Sequence, residues 1–480
     1  MTGEGADSSV SSRRRGGLLG LLIVALAAAW PGGAGAAEVS AEGYYRLEPY
    51  VLDNIDLDRS NRRDRRMAFI DHEFLFALSF RTGEIEAAVG FELADGIAGR
   101  QSIRVEDVPF DDVTVVELSP DTSSTLVDFF WVRWQPEVVT LKAGWFTNDL
   151  DSYRFFLGRD GAPSVQLERA FGPLRAQYTF QKVAERAFIT ETSSSVPAPR
   201  STLVGVGDVD AHYLLLDVRR QDLGPVRVTR AALWGVYASD RRPEDRAYIG
   251  VVGGQFSLRT GRLTLYGEGD LLVGKYRGTT ALPLNRGPGT ANDETLSAGA
   301  PLRGSVAFLG LAADAVRTGS GRRIQVGVEV LRGSGDRDPT DGRAEDVTSL
   351  ALVHANLEGD FELSRLFGPF PIGGHTQYLK YVGNLTVVKP FVAARVWESL
   401  EVGAAAYWLR TTRSVAVVLD GTATGERTRD LGWQYEGWAR LALSPGVSAA
   451  LHYTYLVPGP GLRPGGDPAQ GLYGALMLGF

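Results

Sequence analysis

The chain has 480 residues and a formal net charge of −7, and it contains 58 glycines, 17 tyrosines and 9 tryptophans. It contains no cysteine, which excludes a disulfide scaffold and thiol catalysis. The acidic balance gives no indication of nucleic-acid binding, and the wealth of glycine and aromatic residues favours a β protein with many turns.

The first 36 residues are predicted to be a cleaved secretion signal. A positively charged start, Arg13–Arg15, is followed by an apolar run over residues 16–30 and by small residues in Pro31–Ala37. The apolar run is shorter than the roughly 20 residues that a spanning helix needs. We therefore expect Sec-dependent export, cleavage after Ala36 or Ala37, and a single domain over residues 37–480.

Beyond this signal, apolar and polar residues alternate in many short segments. In Arg323–Leu331, for example, four branched apolar residues alternate with Arg323, Gln325 and Glu329. Several segments reach ten residues or more, which exceeds the usual length of about five or six in a soluble sandwich. A tilted strand that crosses a membrane requires that greater length.

Tight and long joints between these segments alternate strictly along the chain. Tight joints such as Thr82-Gly83 and Ser444–Gly446 are separated by long polar ones such as Ala94–Ser124, Gly333–Val382 and Ser414–Arg429. Short periplasmic turns with long external loops are typical of outer-membrane barrels. The sequence thus predicts an all-β fold, an antiparallel transmembrane β-barrel of about eighteen strands in the outer membrane of a Gram-negative bacterium.

The same alternation assigns charged residues to the inner face of the barrel. Eight are basic: Arg81, Lys142, Arg175, Arg219, Arg227, Arg262, Arg323 and Arg440. Eleven are acidic: Asp71, Glu73, Glu84, Glu86, Glu92, Glu168, Asp217, Glu268, Asp270, Glu329 and Glu436. The arginines are either selectivity residues, since guanidinium binds carboxylate or phosphate bidentately, or structural partners of the acids. A structural role is favoured at any single position, and several arginines at one height would reverse that judgement.

Two long joints carry unusual composition. Arg59–Arg66 holds five arginines in eight residues, which suits recruitment of a polyanion, phosphates of surface lipopolysaccharide, or a solvated loop. Residues 333–382 contain more apolar side chains than a solvated loop needs, and we expect them to form a lid at the mouth.

Tryptophans near strand ends are expected in the interfacial girdle: Trp145, Trp234, Trp397, Trp408 and Trp433.

No motif indicates chemistry. Asp336, Asp338 and Asp341 depart from the calcium-loop spacing and lack its closing Glu, which favours a surface turn. The five histidines are dispersed, and no Gly-x-Ser-x-Gly occurs. The chain is therefore predicted not to be an enzyme and to need no metal or cofactor.

The C-terminal third carries a resemblance to a known family. Its residues are LRGSGDRDPTDG (Leu331–Gly342), GHTQYLKYVGN (Gly373–Asn384), the segments Val388–Arg410 and Leu431–Gly461, and the terminal LYGALMLGF. These resemble the alginate-export family of outer-membrane porins. The resemblance implies an eighteen-stranded barrel that passively conducts an anionic polysaccharide through a lumen lined by arginines and partly closed by loops.

The preferred function at this stage is passive export of an acidic polysaccharide across the outer membrane. The alternative is a general or anion-preferring diffusion porin for small solutes, and a third is a structural or adhesion barrel acting through its external loops. Expected partners are outer-membrane lipid and lipopolysaccharide, the transported polysaccharide or small anion, and periplasmic components of an export apparatus.

Overall fold

The computed structural model describes residues 38–57, 66–98, 126–146, 162–184, 209–241, 247–277, 282–284, 294–296, 299–318, 322–335, 384–419 and 422–480. The predicted signal, most of the arginine-rich joint and most of the predicted lid lie outside the described residues. They stay predictions.

The described residues form twenty strands. They are Glu38–Asp53 (β1), Arg66–Thr82 (β2), Ile85–Ala98 (β3), Leu126–Trp134 (β4), Thr140–Phe146 (β5), Ala162–Phe171 (β6), Leu174–Ala184 (β7), Val209–Leu223 (β8), Val226–Asp240 (β9), Ala247–Thr260 (β10), Leu263–Tyr276 (β11), Leu282–Leu284 (β12), Glu294–Leu296 (β13), Pro301–Arg317 (β14), Arg323–Gly333 (β15), Leu385–Arg395 (β16), Leu400–Leu419 (β17), Thr422–Ser444 (β18), Val447–Pro458 (β19) and Ala469–Gly479 (β20).

Eighteen of these strands close into one antiparallel barrel, as the sequence predicts. Successive strands pair along the chain, β11 pairs with β14, and β1 closes on β20 with Tyr50 opposite Tyr473. The short strands β12 and β13 pair only with each other. Both ends of the barrel chain, Glu38 and Phe480, lie on the side of the tight turns, which we call the short-turn end; the opposite rim is the long-joint end. Among the described residues, no helix is long and apolar enough to cross a membrane.

One predicted joint is wrong. The Ser414–Arg429 joint is instead strand, because β17 continues to Leu419 and β18 begins at Thr422. Val415 pairs with Thr428 in this extension. The run of Val and Thr residues there suits a pleated ladder better than a loop.

The two faces of the barrel follow from the pleat, since directly opposed residues in an antiparallel ladder share a face. Apolar side chains such as Leu309, Leu311 and Val326 are exposed on the outer face, where they would meet lipid. Aromatic residues border this belt, with Trp134 and Phe480 at the short-turn end and Trp408 and Trp433 at the long-joint end.

Trp234 departs from the predicted girdle. It lies on the inner face, is only 4% exposed, and its Nε1–H donates to Asp270 Oδ1 at 3.0 Å. Gly253 stands opposite Trp234, and a Cβ there would come within 2.2 Å of the indole nitrogen. The missing side chain therefore makes room for the indole inside the barrel.

Candidate functional site: the inner wall of the barrel

The inner wall is divided along the barrel axis. Toward the long-joint end it is apolar and buried on β8 to β19; examples are Tyr213, Leu215, Ile249, Val306, Phe308, Leu331, Val387, Leu409 and Leu456. Thr179 on β7 is buried at the same level. Side chains with so little exposure do not line an aqueous passage, so this arc of the wall is packed core.

Below this core lies a layer of hydrogen-bonded acids. Glu329 accepts from the Tyr266 hydroxyl at 2.6 Å and pairs with Lys389 Nζ at 3.1 Å. Glu436 accepts from the Tyr407 hydroxyl at 2.9 Å and contacts His452 Nδ1 at 2.9 Å. Because each of these two carboxylates has two partners, Glu329 and Glu436 are satisfied within the wall.

The short-turn part of the wall carries arginines on seven strands. We call this set the inner arginine arc: Arg175 (β7), Arg219 (β8), Arg230 (β9), Arg259 (β10), Arg323 (β15), Arg395 (β16) and Arg440 (β18). Each lies within about five residues of its tight turn. The side chains with ion pairs in this arc are 25% to 62% exposed, so their guanidinium groups face water inside the barrel.

On β7 to β9, the arginines of the arc surround Asp217, whose side chain is fully buried. Arg175 Nη2 lies 3.0 Å and Arg219 Nε 2.8 Å from Asp217 Oδ2, and Arg230 Nε lies 3.5 Å from Oδ1. Arg175 also reaches Glu168 at 3.3 Å. Two carboxylates thus hold three arginines, and one positive charge is left over.

On β10 to β18, a buried carboxylate again holds arginines of the arc. Asp314, only 3% exposed, lies 3.1 Å from Arg259 and 3.6 Å from Arg323. Arg323 stands opposite Arg395, and Arg440 is 4.0 Å from Glu401. The seven arginines of the arc face four carboxylates (Glu168, Asp217, Asp314 and Glu401), which leaves a formal charge of +3. At the rim, Arg317 opposite Arg323 adds one more positive charge, whereas Arg227 opposite Arg259 is balanced by Asp222.

The opposite wall, β1 to β5, has the other sign. Arg46 pairs with Glu73 at 2.7 Å and with Glu48 at 3.6 Å, and Arg133 pairs with Glu86. The inner-face acids with described side chains are Glu38, Glu42, Glu48, Asp71, Glu73 and Glu86, against Arg46, Arg81, Arg133 and Lys142, a formal charge of −2. Within about five residues of the tight turns these strands are balanced, with Glu38, Glu42 and Glu86 against Arg81, Arg133 and Lys142, so the excess positive charge at this end lies on the inner arginine arc.

The sequence-predicted basic residues take two kinds of position. Six lie on the inner face in register with inner-face partners: Arg81, Lys142, Arg175, Arg219, Arg323 and Arg440. Lys142 is held between aromatic rings, with Nζ 4.7 Å from the Trp131 ring and 4.0 Å from the Phe146 ring. Arg227 and Arg262 lie at the short-turn rim, where Arg227 pairs with Asp222 and both side chains are mostly exposed.

Sequence reasoning missed Arg230, Arg259, Arg395 and Lys389. Arg230 is hidden by an irregularity: Ser257 pairs with Arg230 and the next residue, Leu258, pairs with Val228. This β-bulge shifts the alternation, so strict counting from Arg227 puts Arg230 on the wrong face. The others continue the alternation of their strands and could have been found by extending each segment to its turn.

No family model matches the chain, and no curated protein matches it in sequence. Solved structures do match. OccK9 (OpdG) of Pseudomonas aeruginosa has a TM-score of 0.50 at 11% identity, covering 92% of this chain and 98% of that one. The P. aeruginosa outer membrane protein OpdK has a TM-score of 0.49 at 10% identity, with 92% and 98% covered. A BenF-like porin from Pseudomonas fluorescens has 0.49 at 10%, with 92% and 99% covered.

These likenesses concern the fold. The chain has the eighteen-stranded antiparallel barrel that outer-membrane porins have. The alginate-export resemblance receives no support from a family model or a curated relative, and no comparison supports polysaccharide export.

Proposed function

We propose that this chain is an outer-membrane diffusion porin for small solutes with a preference for anions. The observation that carries the proposal is the inner arginine arc, where seven guanidiniums, each within about five residues of a tight turn, exceed their carboxylate partners by three charges. Several arginines near the same end of the barrel favour a selective lining over isolated structural pairs. The buried state of the wall toward the long-joint end supports a small solute over a hydrated polymer, since it leaves less wall for an aqueous path.

The expected mechanism is passive. An anion that enters the barrel meets exposed guanidiniums already held in place by Asp217 and Asp314, so little side-chain ordering is needed on contact. Several weak contacts on neighbouring strands let the anion move from one to the next, and weak multi-site binding is what conduction requires. The facing part of β1 to β5 is balanced in charge, so the electrostatic attraction for an anion is concentrated at the arc.

The test is a reversal-potential measurement in planar bilayers under a KCl gradient. We expect the triple variant Arg323→Gln, Arg395→Gln and Arg440→Gln to move the reversal potential toward cation preference, most clearly at low salt where screening is weakest. The matched control removes three arginines from the outer wall: Arg332→Gln, Arg410→Gln and Arg429→Gln. It has the same change in charge and should leave the reversal potential close to that of the unmodified protein.

An equal shift in both triple variants, or no shift in the inner one while the barrel still assembles, would overturn the proposal. Conductance adds a second criterion. A barrel that remains closed to small ions in all variants would instead favour a structural role.

A further inference from the structure

On the outer face of the barrel, three arginines converge near the long-joint end. Arg332 on β15 stands opposite Thr386 on β16, and Thr386 stands opposite Arg410 on β17, so the three form one row across neighbouring strands. Arg429 on β18 joins Arg332 and Arg410 in lining a hollow of about 210 Å³. That volume is more than ten times the ~15 Å³ needed for one water.

The arginines of this hollow are available to a ligand. Arg332, Arg410 and Arg429 have no ion pair or hydrogen-bonded side-chain partner among the residues that the structure describes. Asp430 lies opposite Arg410, but its Oδ1 accepts from the Gly432 N–H at 3.0 Å. Counting this acid, the hollow has a formal charge of +2 on a protein whose net charge is negative.

Two of the three threonines that line the hollow, Thr386 and Thr412, have already used their hydroxyl hydrogens. Thr412 Oγ1 donates to the Gly333 carbonyl at 2.6 Å, so in the 2.9 Å contact between the two threonine hydroxyls it is Thr386 that donates. Neither hydroxyl can then donate to a bound anion. The donors that remain in the hollow are the three guanidiniums and the hydroxyl of Thr411, which is buried and has no hydrogen-bond partner among the described residues. Arg410 is set in position by its Cζ, 4.9 Å from the centre of the Trp408 ring.

The depth of the hollow points to the source of the anion. One step toward the short-turn end, the outer face carries Val330, Val388, Trp408, Trp433 and Val457 in successive register. Trp408 and Trp433 are stacked at 6.1 Å and are partly exposed. Tryptophan on the outer face of a barrel lies at the level of lipid headgroups, and two residues of a strand tilted by about 40° raise the arginine row by about 5 Å above it.

We propose that this hollow, lined by Arg332, Thr386, Trp408, Arg410, Thr412 and Arg429, binds a phosphate on the headgroup of an external-leaflet lipid. Guanidinium groups match phosphate oxygens bidentately, and basic pockets at headgroup depth are suited to phosphorylated lipids. The acyl chains of the same lipid would lie along the apolar face beneath the tryptophan pair. This site is separate from the inner wall and does not depend on what passes through the barrel.

The test uses the purified full-length barrel and native mass spectrometry. The probes are bisphosphorylated lipid A, the same lipid A after enzymatic removal of both phosphates, and inorganic phosphate. We expect the outer triple variant (Arg332→Gln, Arg410→Gln, Arg429→Gln) to bind bisphosphorylated lipid A at least tenfold more weakly than the unmodified protein. The inner triple variant (Arg323→Gln, Arg395→Gln, Arg440→Gln) has the same charge change and should bind it normally.

Dephosphorylated lipid A should bind the unmodified protein as weakly as the outer triple variant binds the phosphorylated lipid. Inorganic phosphate should not displace bound lipid A at millimolar concentration; displacement would overturn the lipid source in favour of a free-phosphate site. Equal lipid A affinity in the outer and inner triple variants would overturn the site itself. Should the outer triple variant fail to assemble, Arg410→Lys keeps the charge but loses the bidentate fork, and it must weaken binding measurably.

Discussion

The arginines of the inner and outer walls differ in their partners. On the inner wall, Arg175, Arg219 and Arg230 surround the buried carboxylate of Asp217. On the outer wall, Arg332 and Arg410 flank Thr386 and have no carboxylate in contact among the described residues. Arginines on the inner face are therefore held by carboxylates of the barrel, whereas those in the outer hollow are not.

The role of an arginine in a barrel can be inferred from its partners and from its depth in the membrane. An inner arginine that shares a buried acid is mainly structural, and its contribution to selectivity comes from the excess of positive charge over the whole arc. An outer arginine has no such support, and a lone charge facing lipid at mid-depth is costly, so a position at headgroup depth is what the proposed contact with a lipid phosphate requires. The following changes would break or sharpen this comparison, in order of expected effect.

The largest effect is expected when an arginine is placed at the wrong depth of the outer wall. Val328→Arg puts a guanidinium halfway along β15, four residues from Arg332 on the same face, and should cost about 2–4 kcal/mol in the free energy of unfolding. Val457→Arg, level with Trp433, should cost at most about 1 kcal/mol. Urea titrations in lipid vesicles measure both, and equal costs would contradict the assigned membrane depth.

The second effect concerns the partner rather than the arginine. Asp217→Asn removes a fully buried carboxylate from three guanidiniums and should destabilise the barrel by about 1–3 kcal/mol, since the three donors lose their shared charged acceptor. Asp222→Asn is the matched control, because the Asp222–Arg227 pair is mostly exposed and such pairs contribute about 0–1 kcal/mol. Similar unfolding midpoints for both variants would show that the Asp217 cluster is no more structural than a surface pair.

The sequence alone predicted much of this fold. Strict alternation of tight and long joints yields eighteen strands and both chain ends on one side, because each antiparallel strand must return the chain to the opposite rim. The alternation of apolar and polar residues within each strand also assigns Arg175 and Asp217 to the inner face. Counting failed where the pleat is interrupted, as at the bulge beside Arg230, since one extra residue exchanges the faces of everything beyond it.

The candidate sites were harder to predict than the strands. The Asp217 cluster joins three strands, and the outer hollow joins residues of β15, β16, β17 and β18, with a long joint between β15 and β16. Only the register brings these residues together. Trp234 shows a further limit, because its inward position depends on Gly253 on the neighbouring strand, and no local pattern around Trp234 contains that information.

A smaller effect is expected at the end of the inner arc. Arg440 is about half exposed and its contact with Glu401 is long, at 4.0 Å, so Arg440→Gln should change the unfolding free energy by less than about 1 kcal/mol. It should still move the reversal potential toward cation preference in 0.1 M KCl, and less in 1 M KCl. Glu401→Gln is the control of opposite sign and should move the potential toward anions. If both variants shifted the reversal potential in the same direction, the charges of Arg440 and Glu401 would not be what sets the ion preference at this position.

The smallest effect is expected in the floor of the outer hollow. Thr386→Val removes the hydroxyl that donates to Thr412 and keeps a branched side chain of similar shape, so the barrel should lose at most about 1.5 kcal/mol. Because the Thr386 hydrogen is already used within the wall, the affinity for bisphosphorylated lipid A should change less than twofold, against at least tenfold for the outer arginine variant. Titration of the Thr386→Val barrel with lipid A checks this directly. A tenfold loss there would mean that the hydroxyl turns to the ligand on binding, and the donors of the site would then include the β16 strand as well as the three arginines.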